Sequence, residues 1–135
     1  MSWSQSLIKL SSYEVEVLQK RMADIGSRQA DAELRLVMLD AEGEAEAANA
    51  GLSAEAGWYH IGFLDGLRLR KGKIRDELQA IALEAAAARE LLAQAFETQK
   101  KYEQVAETAR LLEVKELGRR ETAALDELGL RRAAG

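Results

Sequence analysis

Residues 8–39 read IKLSSYEVEVLQKRMADIGSRQADAELRLVML, and their apolar members decide the fold. Ile8, Val15, Leu18, Met22, Ile25, Ala32, Leu36 and Leu39 recur in steps of three, four and seven, with Ser11 and Gln29 at the positions between. A 3.5-residue period sustained over about four heptads keeps one narrow stripe of a helix turned toward a second helix, instead of burying a broad face. The flanking charges agree. Glu16 with Lys20, Asp24 with Arg28 and Asp31 with Arg35 are acid-first pairs at i,i+4, each contributing ~0.2–0.5 kcal/mol on an exposed helix face. Gly26 is the weak point of this helix.

Beyond this stretch, residues 41–57 read AEGEAEAANAGLSAEAG, small and acidic with three glycines and no apolar spacing. They are expected to turn the chain, with Gly51 taking a left-handed backbone and Ser53 capping the next helix. A second pattern then runs through Trp58, Leu64, Leu67, Ile74, Leu78, Ile81, Ala85, Ala88, Leu92, Ala95, Tyr102, Ala106 and Ala109, interrupted by Lys71 and Gln99. Glu97 with Lys101, Glu116 with Arg120 and Glu127 with Arg131 repeat the acid-first pairing.

The expected fold is all-α, two long helices of unequal length forming an antiparallel coiled-coil hairpin. It is read as one domain over 1–135, with helix 1 over about 4–48, a turn over 49–53 and helix 2 over about 54–130. Its seam residues are Ile8, Val15, Leu18, Met22, Ile25, Leu36 and Leu39 on the first helix, and Ile74, Leu78, Ile81 and Leu92 on the second. A turn near Gly51 pairs residues whose numbers sum to roughly 102, so Ile8 is expected beside Gln94 and the second helix overhangs from about Gln99. Some ~30 overhanging residues would span ~45 Å, and an isolated helix of that kind is marginal without a partner.

Composition points the same way. The chain holds 24 Ala, 17 Glu, 20 Leu and 19 Lys plus Arg, 80 of 135 residues, beyond the rough half-share that marks coiled coils. Proline is absent, so no helix stop is imposed. A net charge of −4 offers no general attraction to nucleic acid or anionic lipid, which leaves proteins as the expected partners. The N-terminal MSWSQSLIKL lacks the pattern of a signal peptide, no apolar run reaches spanning length and there is no cysteine, so the expected compartment is the cytoplasm.

No residue set calls for catalysis. His60 is the single histidine, so any nucleophile system would have to centre on it. Glu42, Glu44 and Glu46 have no surrounding pocket to shift their pKa values and read as solvated. Residues 66–74, GLRLRKGKI, put five residues between the glycines and an isoleucine after the lysine, which fails a phosphate loop. No metal, cofactor or small-molecule substrate is expected. Arg68, Arg70, Lys71, Lys73 and Arg75 form a basic cluster that either neutralises the Glu42–Glu46 run across the hairpin or receives an acidic protein. Trp58, Tyr59 and Phe63 crowd aromatics at the tip, where a two-helix coil has little interior to hold them; such rings are frequent interface anchors.

Three strings carry a family resemblance: SLIKL at Ser6–Leu10, the pattern QAxxxLxxV at Gln29–Val37, and the aromatic-led Trp58, Tyr59, Phe63 and Leu67. In their order, spacing and total length the chain resembles the FliJ family of the bacterial flagellar type III export apparatus over nearly its whole length. The resemblance implies a non-enzymatic cytoplasmic stalk, peripheral to the inner membrane at the flagellar base, that assists ATPase ring assembly and escorts export chaperones. The end bearing the termini would sit in the export ATPase ring, with Leu111, Leu112, Val114, Leu117, Leu125 and Leu128 as the contact. The tip would reach the membrane export gate through Glu33, Val37, Trp58, Tyr59, Phe63 and Leu67. This chain has Asp40 and Glu44 where relatives often carry aromatics. An injectisome stalk and a generic helical holdase are the competing readings.

Overall fold

The computed structural model describes residues 2–51 and 53–134. The chain forms two helices, α1 (Trp3–Ala50) and α2 (Ala54–Ala134), which pack against each other, and no strand occurs among the described residues. It divides into two compact units, Glu16–Leu92 on its own and Met1–Val15 together with Ala93–Gly135. Of the turn expected over 49–53, Leu52 lies outside the described residues.

Local signals fix both helix starts. The Ser2 hydroxyl accepts a hydrogen bond from the Gln5 amide at 3.3 Å while the Gln5 side chain accepts one from the Ser2 amide at 3.1 Å. This reciprocal capping box satisfies two of the donors that a helix start leaves orphaned. Ser53 caps α2, its hydroxyl accepting from the Ala56 amide at 3.0 Å. The left-handed glycine expected at position 51 is corrected: neither Gly51 nor any other described glycine has a positive φ.

In the unit Glu16–Leu92, Ile25, Ala32 and Leu39 of α1 cluster with Leu67, Ile74, Ile81, Ala85 and Ala88 of α2, and Met22, Leu36, Phe63 and Leu78 pack around them. Leu18 and Leu92 are half-buried at the same three-four rhythm. Ion pairs give the register: Arg28 meets Glu84 at 2.6 Å, Arg35 meets Glu77 at 2.8 Å and Arg70 meets Glu42 at 3.6 Å. Each step of seven up α1 is a step of seven back along α2, so the helices are antiparallel with partner numbers summing to 112, ten more than the turn-centred expectation. At the connection a Cβ on Gly57 would stand 3.4 Å from the Ala50 carbonyl oxygen, so the start of α2 lies close against the end of α1.

The seam also continues further up α1 than its apolar residues indicate. Gly43, Glu46 and Ala50 keep the rhythm and are half-buried. A Cβ on Gly43 would lie 2.8 Å from Leu67 Cδ2, so this glycine is the floor on which Leu67 packs, and not a turn signal.

In the other unit, α1 from Trp3 to Val15 lies along α2. Val15, Ser11 and Ala95 are buried, while Ile8, Tyr102, Ala106 and Ala109 are half-buried. Ser11 satisfies its hydroxyl by donating to the Ile8 carbonyl at 3.0 Å, and Gln99 donates to the Ser12 hydroxyl at 2.9 Å. The polar interruptions in the pattern are thus hydrogen-bonded. Glu103 and Ala106, not Gln94, share a groove with Ile8. The overhang accordingly starts near Arg110 instead of Gln99.

The interhelical pairs predict a pH dependence. The hydrogen bond from Arg28 holds the Glu84 carboxyl below its ordinary value and raises the Arg28 guanidinium. A depressed acid contributes stability that is fully present above the unfolded glutamate pKa of about 4.3 and is lost as pH falls through the lower folded value. The melting temperature is expected to fall across that window. Glu84→Gln should flatten the fall, as followed by circular dichroism.

Candidate interaction surfaces

The tip of the unit Glu16–Leu92 carries the first bare surface. Trp58, Tyr59 and Ile61 are 78%, 62% and 64% exposed and line a shallow apolar cleft with Gly62 and Phe63. Ile61 was not anticipated, although four apolar residues within six positions cannot all face one seam. Phe63 is half-buried against the core, and the Arg70 guanidinium sits over its ring at 6.0 Å.

Leu67, expected as a surface contact, is buried at 4% exposure in the seam above Gly43, so its part is to support the tip. Glu33 and Val37 are exposed on α1. By the observed register Val37 lies level with about residue 75, some ~18 Å along α2 from Phe63. The structure therefore does not gather the expected gate residues into one patch.

The basic cluster is largely taken up. Lys71 pairs with Asp40 and Arg70 with Glu42 across the helices, while Arg68 pairs with Asp65 within α2, so of the expected Glu42–Glu46 run only Glu42 is engaged by the cluster. Asp40 holds the half-buried Lys71 at the seam edge. His60 is half-buried with Nδ1 enclosed and without a hydrogen-bond partner. Among the described residues, no three His, Cys, Asp or Glu side chains converge to hold a metal ion.

The second bare surface is on α2 past the start of α1. Leu111, Leu112, Val114, Leu117, Leu125 and Leu128 are each between 53% and 68% exposed, and Leu130 adds to them at 71%. The seam itself stops at Ala109, level with the start of α1 at Trp3, and the positions that would continue it hold Glu113, Glu116, Arg120, Ala123 and Glu127. At 100° per residue the apolar set Leu111, Val114, Leu125 and Leu128 lies well over a quarter-turn round the helix from that seam. Continuing the hairpin would leave it uncovered. Two of the anticipated surface pairs, Glu116 with Arg120 at 3.4 Å and Glu127 with Arg131 at 3.0 Å, lie beside it.

Two long helices zipped by a heptad seam, with apolar stripes left outside it, define an all-α coiled-coil protein. Among the described residues no helix is long and apolar enough to cross a membrane. The family profile described as "FliJ: Flagellar FliJ protein" matches residues 5–135, and the chain belongs to that family. It is 48% identical over 132 residues to the flagellar FliJ protein of Caulobacter vibrioides strain NA1000 / CB15N, covering 98% of this chain and 95% of the relative. The protein of the same name from C. vibrioides strain ATCC 19089 / CIP 103742 / CB 15 matches with the same identity and coverage. No solved structure matches the chain.

Proposed function

We propose that this chain is a non-enzymatic stalk of the flagellar export apparatus, linking the export ATPase ring to the cytoplasmic domain of the membrane export gate. It assists ring assembly, escorts export chaperones and works at the cytoplasmic side of the inner membrane. The observation that carries this reading is the bare stripe Leu111–Leu128, on a helix that leaves its own partner behind at Ala109. Aliphatic side chains there stabilise a complex by ~1.5–3 kcal/mol each when fully buried, and a ring with an apolar bore buries them on all sides. Membership in a flagellar family, with 48% identity to flagellar relatives, favours the flagellar apparatus over an injectisome.

Titrating the cognate flagellar export ATPase with the purified protein, while following hydrolysis and light scattering, tests the reading. Stimulation saturating near one chain per ring is expected. No effect at micromolar excess would leave the holdase reading ahead.

The tip makes a separate prediction. Trp58→Ala and Tyr59→Ala remove exposed rings of the kind that anchor interfaces, and each should weaken binding to the gate domain about tenfold or more with an unchanged melting temperature. Leu67→Ala should do the reverse, lowering the melting temperature by removing a buried side chain. Calorimetric titration alongside thermal melts separates the two.

A further inference from the structure

The bare stripe on α2 is complementary to itself. Leu111, Val114, Gly118, Glu121, Leu125 and Leu128 follow a three-four rhythm on one face, the signature of a second helix–helix seam distinct from the one that ends at Ala109. Run antiparallel against a second copy, with residue numbers summing to 239, the face sets Leu111 on Leu128, Val114 on Leu125 and Gly118 on Glu121. Every layer then occurs twice about a two-fold axis.

The charges select the same register. Among the described residues, Lys115, Glu121 and Asp126 have no ion-pair partner, whereas Glu116 and Glu127 are occupied by Arg119, Arg120 and Arg131. In the antiparallel register Lys115 reaches both Glu121 and Asp126 of the second copy, so these three charges of each chain are met, and Glu113, which also has no ion-pair partner, lies on the other flank of the stripe. A Cβ at Gly118 would touch nothing in its own chain. Its small size is used where the two helices cross.

We infer that the free protein self-associates through residues 111–128 as an antiparallel, two-fold dimer. Four aliphatic side chains from each copy, with the residues beside them, cover on the order of 1,000 Å² in total, the low end for specific association, so the dimer is transient with a micromolar Kd. On the reading given above, the same stripe binds the export ATPase. Dimer and ring complex then exclude each other, and the dimer keeps the stripe covered until a ring competes for it.

Sedimentation equilibrium of the full chain alone, from ~1 to ~100 µM, tests the dimer independently of any ATPase. A rise from monomer to dimer mass is expected, abolished by Leu125→Lys with helicity retained. Lys115→Glu should weaken association about tenfold, and adding Glu121→Lys and Asp126→Lys should restore it. The chain contains no cysteine, so single substitutions report direction. Leu111→Cys and Leu128→Cys should cross-link to each other when the two variants are mixed, and neither to itself. A monomer at every concentration, dimers that survive Leu125→Lys, or self-linking of Leu111→Cys would overturn the inference.

Discussion

Removing residues 111–135 is expected to leave the melting temperature of the helical hairpin within about two degrees of the full chain and to abolish binding to the export ATPase. The first half follows from contacts. The last half-buried seam residue of α2 is Ala109, and beyond it every described apolar side chain is exposed and the charges pair within the helix, such as Arg119 with Glu116. A single helix of that length is marginal in water and stabilises nothing beside it. The second half follows from the six aliphatic side chains lost. Even a third of the ~1.5–3 kcal/mol available from each exceeds 3 kcal/mol, more than a hundredfold in affinity. Thermal melts and ATPase pull-down of the truncated chain check both halves. Melting of the hairpin would overturn the register, and retained binding would move the contact elsewhere.

Ile25→Ala is the second large effect, on stability this time. Ile25 is 1% exposed and is, among the described residues, the one large side chain that is completely buried, in a cluster whose other fully enclosed members are Ala32 and Ala88. A seam built on alanine has few large side chains to share a loss. Deleting three carbons at such a site costs about 2–5 kcal/mol, a large part of the stability a small domain possesses. The melting temperature should drop by ~10 °C or more. Val17→Ala, on the exposed face of the same helix, should move it by less than about two degrees. Near-equal effects of the two substitutions would contradict the packing.

The contrast between these positions also explains what could be read from the chain itself. Ile8, Val15, Met22, Ile25, Leu36 and Leu39 announce a heptad because large residues alternate with charges, and every one of them is buried or half-buried. The register was not legible in the same way. The four consecutive alanines 85–88 fit the stripe in any phase, and nothing in the small, acidic residues 41–57 marks which positions face each other across the turn. The needed signal was present in the charges. Arg28 and Arg35 stand seven apart, as do Glu77 and Glu84, and only the observed pairing lets both couples meet.

The surface residues divide similarly. Trp58 and Tyr59 could be anticipated because large rings have no room inside a two-helix tip, and both are exposed. Leu67 could not be placed, because its burial depends on Gly43, a residue whose lack of a side chain reads as a turn until the opposite helix is in view.

The end of pairing at Ala109 makes an abrupt change in girth. A lone α-helix with its side chains is ~10–12 Å across, and two side by side are close to twice that. A bore wide enough for the single strand of α2 but not for the pair would admit the chain only up to the place where Trp3 begins, a built-in shoulder. The described residues past it, 110–134, allow entry to roughly 37 Å, a limit set by where α1 starts instead of by how tightly any side chain is gripped.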